Sequence, residues 1–114
     1  MQVDDQTFPV FTLMARLTGR SHQVCHTLFE NFEKAKSGDL EAQYDLAYGL
    51  HLIVPHLSES QIAGFTDEVK GQTMTACLKL FQDVAQNVQT PRQEQAKFMV
   101  GLLRSEGVKE PEVH

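Results

Sequence analysis

The chain has 114 residues, 41% hydrophobic and 22% charged, with a formal net charge of −5. That length accommodates one packed core and not two. The composition is that of a folded soluble protein rather than a disordered one, and no apolar run nears the roughly 18 residues of a membrane span. The charge is unevenly spread. Residues 30–68 carry eight acids against Lys34 and Lys36, whereas residues 69–109 carry six bases against three acids. An acidic middle repels phosphate, which disfavours nucleic acid as a partner and favours a protein with a basic surface. The first residues, MQVDDQTFPV, place acids where a secretory signal needs positive charge. With Cys25 and Cys77 as the only cysteines, the chain reads as a cytoplasmic protein with two reduced, buried thiols.

Taken in order, Thr7 or Asp5 is positioned to cap a short first helix with Pro9 in its opening turn, built on Val10, Leu13, Met14 and Leu17. Ser21 caps a second helix running to Ser37, with Val24, Cys25, Leu28, Phe29, Phe32 and Ala35 as its apolar stripe and Gly38 as its stop. Asp39 then caps a central helix that ends before Pro55. On that helix Ala42, Leu46, Leu50 and Ile53 share one side, with Ala47 beside them, while Tyr44, Tyr48 and His51 lie roughly opposite. The near absence of a loop at Gly38 makes these two helices an antiparallel hairpin.

Residues 54–60 read as a loop. Ser58 with Gln61 forms a capping box for a short helix that buries Ile62, Phe65 and Val69. Gly64 and Gly71 predict a break near 66–71, followed by a helix from Gln72 to about Val88 that buries Met74, Cys77, Leu80, Phe81, Val84 and Val88. Thr90, Pro91 and Gln93 signal a last helix spanning Pro91 to Ser105 around Ala96, Met99, Val100 and Leu103, closed by Gly107. The fold expected is an all-α single-domain bundle of about five helices built from two antiparallel helical hairpins, occupying residues 1–107, with 108–114 as a flexible C-terminal tail.

The two hairpins align with each other. Cys25, Leu28, Phe29 and Phe32 match Cys77, Leu80, Phe81 and Val84 at an offset of 52, and Ala42, Tyr44, Leu46 and Ala47 match Ala96, Phe98, Val100 and Gly101 at an offset of 54. At Ala35, Gly38, Ala42, Gln43, Leu46 and Ala47 the chain resembles the first-helix pattern of Sel1-like repeats, which are tetratricopeptide-type helix pairs. That resemblance implies close helix packing through small residues and a scaffold for protein partners.

Few residues carry reactive chemistry at a meaningful spacing. His22 and His26 stand four apart, as two imidazoles sharing a metal would. His26 points off the core stripe and no third ligand is placed, so neither a metal nor a cofactor is expected. No phosphate-binding loop or catalytic signature is present. The Tyr44, Tyr48 and His51 face, bordered by Glu41 and Asp45, is the candidate partner-binding surface, because tyrosines concentrate in interface hot spots. The expected function is a small acidic protein-binding module without catalytic activity: an adaptor, a regulator or a stoichiometric inhibitor. The same face would also serve a homodimer. The alternative is a ligand-binding or enzymatic bundle using His51, His56 and Tyr44 or Tyr48 in a pocket.

Overall fold

The computed structural model describes residues 21–111, with side chains from residue 26. Among the described residues there are four α-helices and no strand: α1 (Ser21–Lys36), α2 (Leu40–Ile53), α3 (Asp67–Ala85) and α4 (Gln93–Ser105). The helix expected between Thr7 and Leu17, the side chains of His22 and Cys25, and residues 112–114 lie outside the described residues.

The sharpest local signals act as the sequence predicts. Gly38 takes φ +97, the left-handed conformation that glycine adopts without steric cost. The chain closes α1 there with Gly38 N–H donating to the Ala35 carbonyl (3.1 Å) and Asp39 N–H to that of Lys34 (3.4 Å). Asp39 then accepts from Ala42 N–H at 3.1 Å as the cap of α2. Pro55 stops α2 at Ile53, and the chain continues as a 3-10 turn, Val54–His56.

Between α2 and α4 the structure departs from expectation, giving four α-helices rather than about five. The Ser58 box forms, with Ser58 N–H donating to Gln61 Oε1 at 2.9 Å, but no helix follows it. Gly64, at φ +90, reverses the chain after a single turn. Ile62 and Phe65 are buried as expected, from a loop instead of a helix. The break predicted at 66–71 is instead the first turn of α3. Thr66 Oγ1 accepts from Val69 N–H at 3.2 Å, and Asp67 and Glu68 sit where the helix dipole favours acids. Gly71 costs that helix about 1 kcal/mol relative to alanine. Burying Met74, Cys77, Leu78, Leu80 and Phe81, at roughly 1.5–3 kcal/mol for each large side chain, outweighs it. At the far end α3 stops at Ala85, so Val88, predicted to be core, is 80% exposed.

Each helix packs chiefly on its neighbours in the chain: α1 on α2, α2 on α3 and α3 on α4. Both inner helices are therefore covered on two sides. In α2 this buries Ala42, Gln43, Tyr44, Leu46, Ala47 and Leu50. The result is compact, with a radius of gyration of 13.5 Å, near the roughly 13 Å of a folded chain of about 100 residues. Cys77, a free thiol, is fully buried in α3, and burial pushes its pKa upward. Of the residues that the sequence assigns to the tail, 108–110 turn back along α3. Thr75 Oγ1 donates to the Lys109 carbonyl at 2.9 Å, Gln82 Nε2 donates to Glu110 Oε2 at 3.1 Å, and Arg104 pairs with Glu110. No helix among the described residues is long and apolar enough to cross a membrane.

The glycines inside the helices separate two effects of adding a methyl group. A Cβ at Gly71 meets nothing within 4 Å, whereas one at Gly49 would lie 2.6 Å from Leu28 Cδ2 in the α1–α2 contact. Gly71→Ala is expected to raise unfolding stability by about 0.4–1 kcal/mol. Gly49→Ala is expected to lower it by about 1 kcal/mol, because overpacking outweighs the gain in helix propensity. Urea denaturation of the two variants side by side checks both signs.

Candidate functional site

Tyr44, Tyr48 and His51 follow one another on α2 at helical spacing and form a continuous aromatic stack. The Tyr44 and Tyr48 ring centroids are 6.0 Å apart with planes 19° from parallel, and the His51 ring meets Tyr48 edge-on at 5.5 Å. The stack is graded in exposure. Tyr44 is 7% exposed, Tyr48 41%, and His51 lies between them at the surface.

What covers Tyr44 is α3 and the loop after it. The Phe81 ring packs edge-to-face on Tyr44 at 5.5 Å and 70°, an arrangement favoured by the ring quadrupoles. The Arg92 guanidinium lies 5.2 Å from the Tyr44 ring centroid, and its Nε bonds Glu41 Oε2 at 3.0 Å. Glu41 therefore serves an ion pair within the chain that joins α2 to the loop before α4. Asp45 stays exposed beside the stack.

Opposite the stack stands α4. Between the two helices runs an open, largely apolar groove of about 500 Å³, lined by Tyr44, Tyr48 and His51 from α2 and by Glu94, Gln95, Phe98, Met99 and Leu102 from α4. Met99 is buried and Leu102 half-buried, but Phe98 is 69% exposed. The α4 wall is not among the residues that helical spacing singles out as a site, although the sequence carries two signals for it. Phe98 is an aromatic lying off the stripe of Ala96, Met99, Val100 and Leu103, and it aligns with Tyr44 between the two halves.

Comparison with family models, curated proteins and solved structures gives no match to this chain.

The other sequence candidates do not converge on the groove. His56 is exposed on the 3-10 turn and does not line it with His51. His26 Nε2 lies 2.9 Å from Glu30 Oε1 on an exposed face of α1. No group of three or more histidine, cysteine, aspartate or glutamate side chains placed to hold a metal occurs among the described residues. A larger open depression of about 910 Å³ lies between α3 and the segment after α4. Its walls mix Asp67 and Glu68 with Lys70 and Lys79, and it contains none of the predicted site residues.

Burial raises the Tyr44 phenol above its ordinary pKa, opposed by the nearby charge of Arg92. The folded chain thus prefers the neutral phenol. That preference is complete below the unfolded tyrosine's pKa and is lost as the pH rises through the raised value. Because the chain has two tyrosines and no tryptophan, Tyr48→Phe isolates Tyr44. The phenolate absorbance of that variant is expected to appear at higher pH in the native state than in urea. Tyr44→Ala is expected to cost about 3 kcal/mol of stability, as removal of a packed aromatic does, measured by denaturant unfolding. Tyr48→Ala is expected to cost under about 1 kcal/mol, because much of the ring already faces water.

Proposed function

We propose that this chain is a cytosolic protein-binding module, acting as an adaptor, regulator or stoichiometric inhibitor, whose α2–α4 groove receives an apolar side chain from a protein partner that carries basic residues beside it. The observation carrying this reading is the pairing of Tyr48 and Phe98. Both are aromatics with solvent-accessible rings, Tyr48 41% and Phe98 69% exposed, one on each wall of a single groove, and aromatic rings are the usual anchors of an interface. The base of the groove is rigid, since Tyr44 is fixed against Phe81 and Met99 is buried. Glu94 at the groove and the exposed Asp45 next to Tyr44 in α2 are acidic, which suits a basic partner.

We also read the helices as two related antiparallel hairpins, α1–α2 and α3–α4. The same device closes each of them: Gln43 Nε2 donates to the Ala35 carbonyl at 3.3 Å, and Gln93 Nε2 to the Ala85 carbonyl at 3.0 Å. The two glutamine bonds stand 50 residues apart, whereas the apolar alignment pairs Tyr44 with Phe98 at an offset of 54, so the hairpins share a way of closing without a common register. The resemblance of residues 35–47 to Sel1-like scaffold repeats supports the hairpin reading.

Peptides selected on the protein from a displayed random library are expected to combine an aromatic or large aliphatic residue with lysine or arginine. Tyr48→Ala should weaken their binding by tenfold or more, about 1.4 kcal/mol, as read by calorimetry, while the melting temperature stays close to that of the wild type. Equal affinity for wild type and Tyr48→Ala would reject the groove as the binding site.

A further inference from the structure

The exposed face of α4 carries more than the groove lining: it shares Glu94 and Phe98 with the groove and continues beyond it to Gly101 and Ser105. Glu94, Phe98, Gly101 and Ser105 follow at intervals of four, three and four residues, the spacing of a single helix–helix seam. All four are exposed. On this seam Phe98 projects as an apolar knob. One turn further on, a Cβ placed at Gly101 would meet nothing within 4 Å, so the seam has a notch beside its knob. The charges at its ends have opposite sign, with Glu94 in the first turn of α4 and Arg104 in the last.

We propose that α4 pairs with α4 of a second copy of this chain, antiparallel and about a two-fold axis. A two-fold interface must be complementary to itself, and this seam is so in one direction only. Antiparallel pairing sets Phe98 over Gly101 of the second copy and, by symmetry, the reverse, while Glu94 comes beside Ser105 and Arg104 of the second copy. Parallel pairing would set Phe98 against Phe98, Glu94 against Glu94 and Arg104 against Arg104. It would lose the fit, repel at both ends and align the helix dipoles unfavourably. Both charged groups are now engaged within the chain, Glu94 with Lys97 at 3.3 Å and Arg104 with Glu110; each is an exposed pair, and exposed pairs exchange at little cost.

The inference rests on the docking-groove reading only through Glu94 and Phe98, which both surfaces use, and the two separate by mutation. Gly101 does not line the groove, and Tyr48 is not on the seam. A contact of one helix on one helix is small, of the weak and reversible class. Sedimentation equilibrium of the full chain over roughly 10–1,000 µM is expected to show the apparent mass rising toward twice that of the monomer. Gly101→Gln fills the notch with a better helix former and should hold the chain monomeric across that range, with its fold intact by circular dichroism and its library-peptide affinity unchanged. Tyr48→Ala should dimerise as the wild type does. Glu94→Arg should abolish dimerisation, and the reversal Glu94→Arg/Arg104→Glu should restore it, which a merely structural role for either side chain would not produce. A wild type that stays monomeric throughout, or a Gly101→Gln variant that dimerises like it, overturns the proposal. Loss of peptide binding in Tyr48→Ala, measured in the same series, reports on the groove independently.

Discussion

The edge-to-face contact of Tyr44 with Phe81, 5.5 Å between centroids, fixes how the two halves of this molecule meet. It lies where α2 and α3 form their most extensive packing, and it turns a side chain with a polar tip into part of the core. Arg92 reinforces the junction from the adjoining loop by lying over the same ring and bonding Glu41. With α2 held to α3, and α3 packed on α4, the separation of α2 and α4 is determined. The groove between them is thus a by-product of sequential helix packing rather than a cavity in an otherwise closed bundle.

A helix whose two sides both carry large apolar groups must either be covered twice or offer one side to something else. On α2 both happen, at different heights. Near its start, Tyr44 is covered by Phe81. One turn later, Tyr48 remains 41% exposed. The graded stack explains why a single face supplies both a structural anchor and an available surface, and why its two tyrosines are not interchangeable. It also reassigns an acid: Glu41, which by sequence borders the face, is held in the Arg92 pair, and Glu94 of α4 takes its place at the groove edge.

Much of this architecture was legible residue by residue wherever a local signal and the packing agreed. Gly38 followed by Asp39 marked the α1–α2 turn, Pro55 marked the end of α2, and the buried positions of α4 followed its apolar spacing. The region 58–71 misled because its signals are local and conflict with what lies further along the chain. A capping box formed without the helix it usually announces, because Gly64 reverses the chain immediately. Gly71 looked like a break, yet eight buried residues further along α3 hold it helical. The α2 side of the groove could be read from Tyr44, Tyr48 and His51. The α4 side could not, because which exposed residue of one helix faces which residue of another depends on the crossing of the helices, and periodicity within a single helix does not encode that.

The enclosure of Cys77 at the centre of α3 gives the molecule a built-in clock. A thiol that is wholly covered, and whose ionisation burial opposes, reacts with an alkylating reagent only during excursions in which the surrounding helices part. In a background lacking Cys25, the rate of labelling at that one sulfur would count those openings directly, without denaturant. Whatever settles on the outer surfaces would then be felt as a slowing of the count.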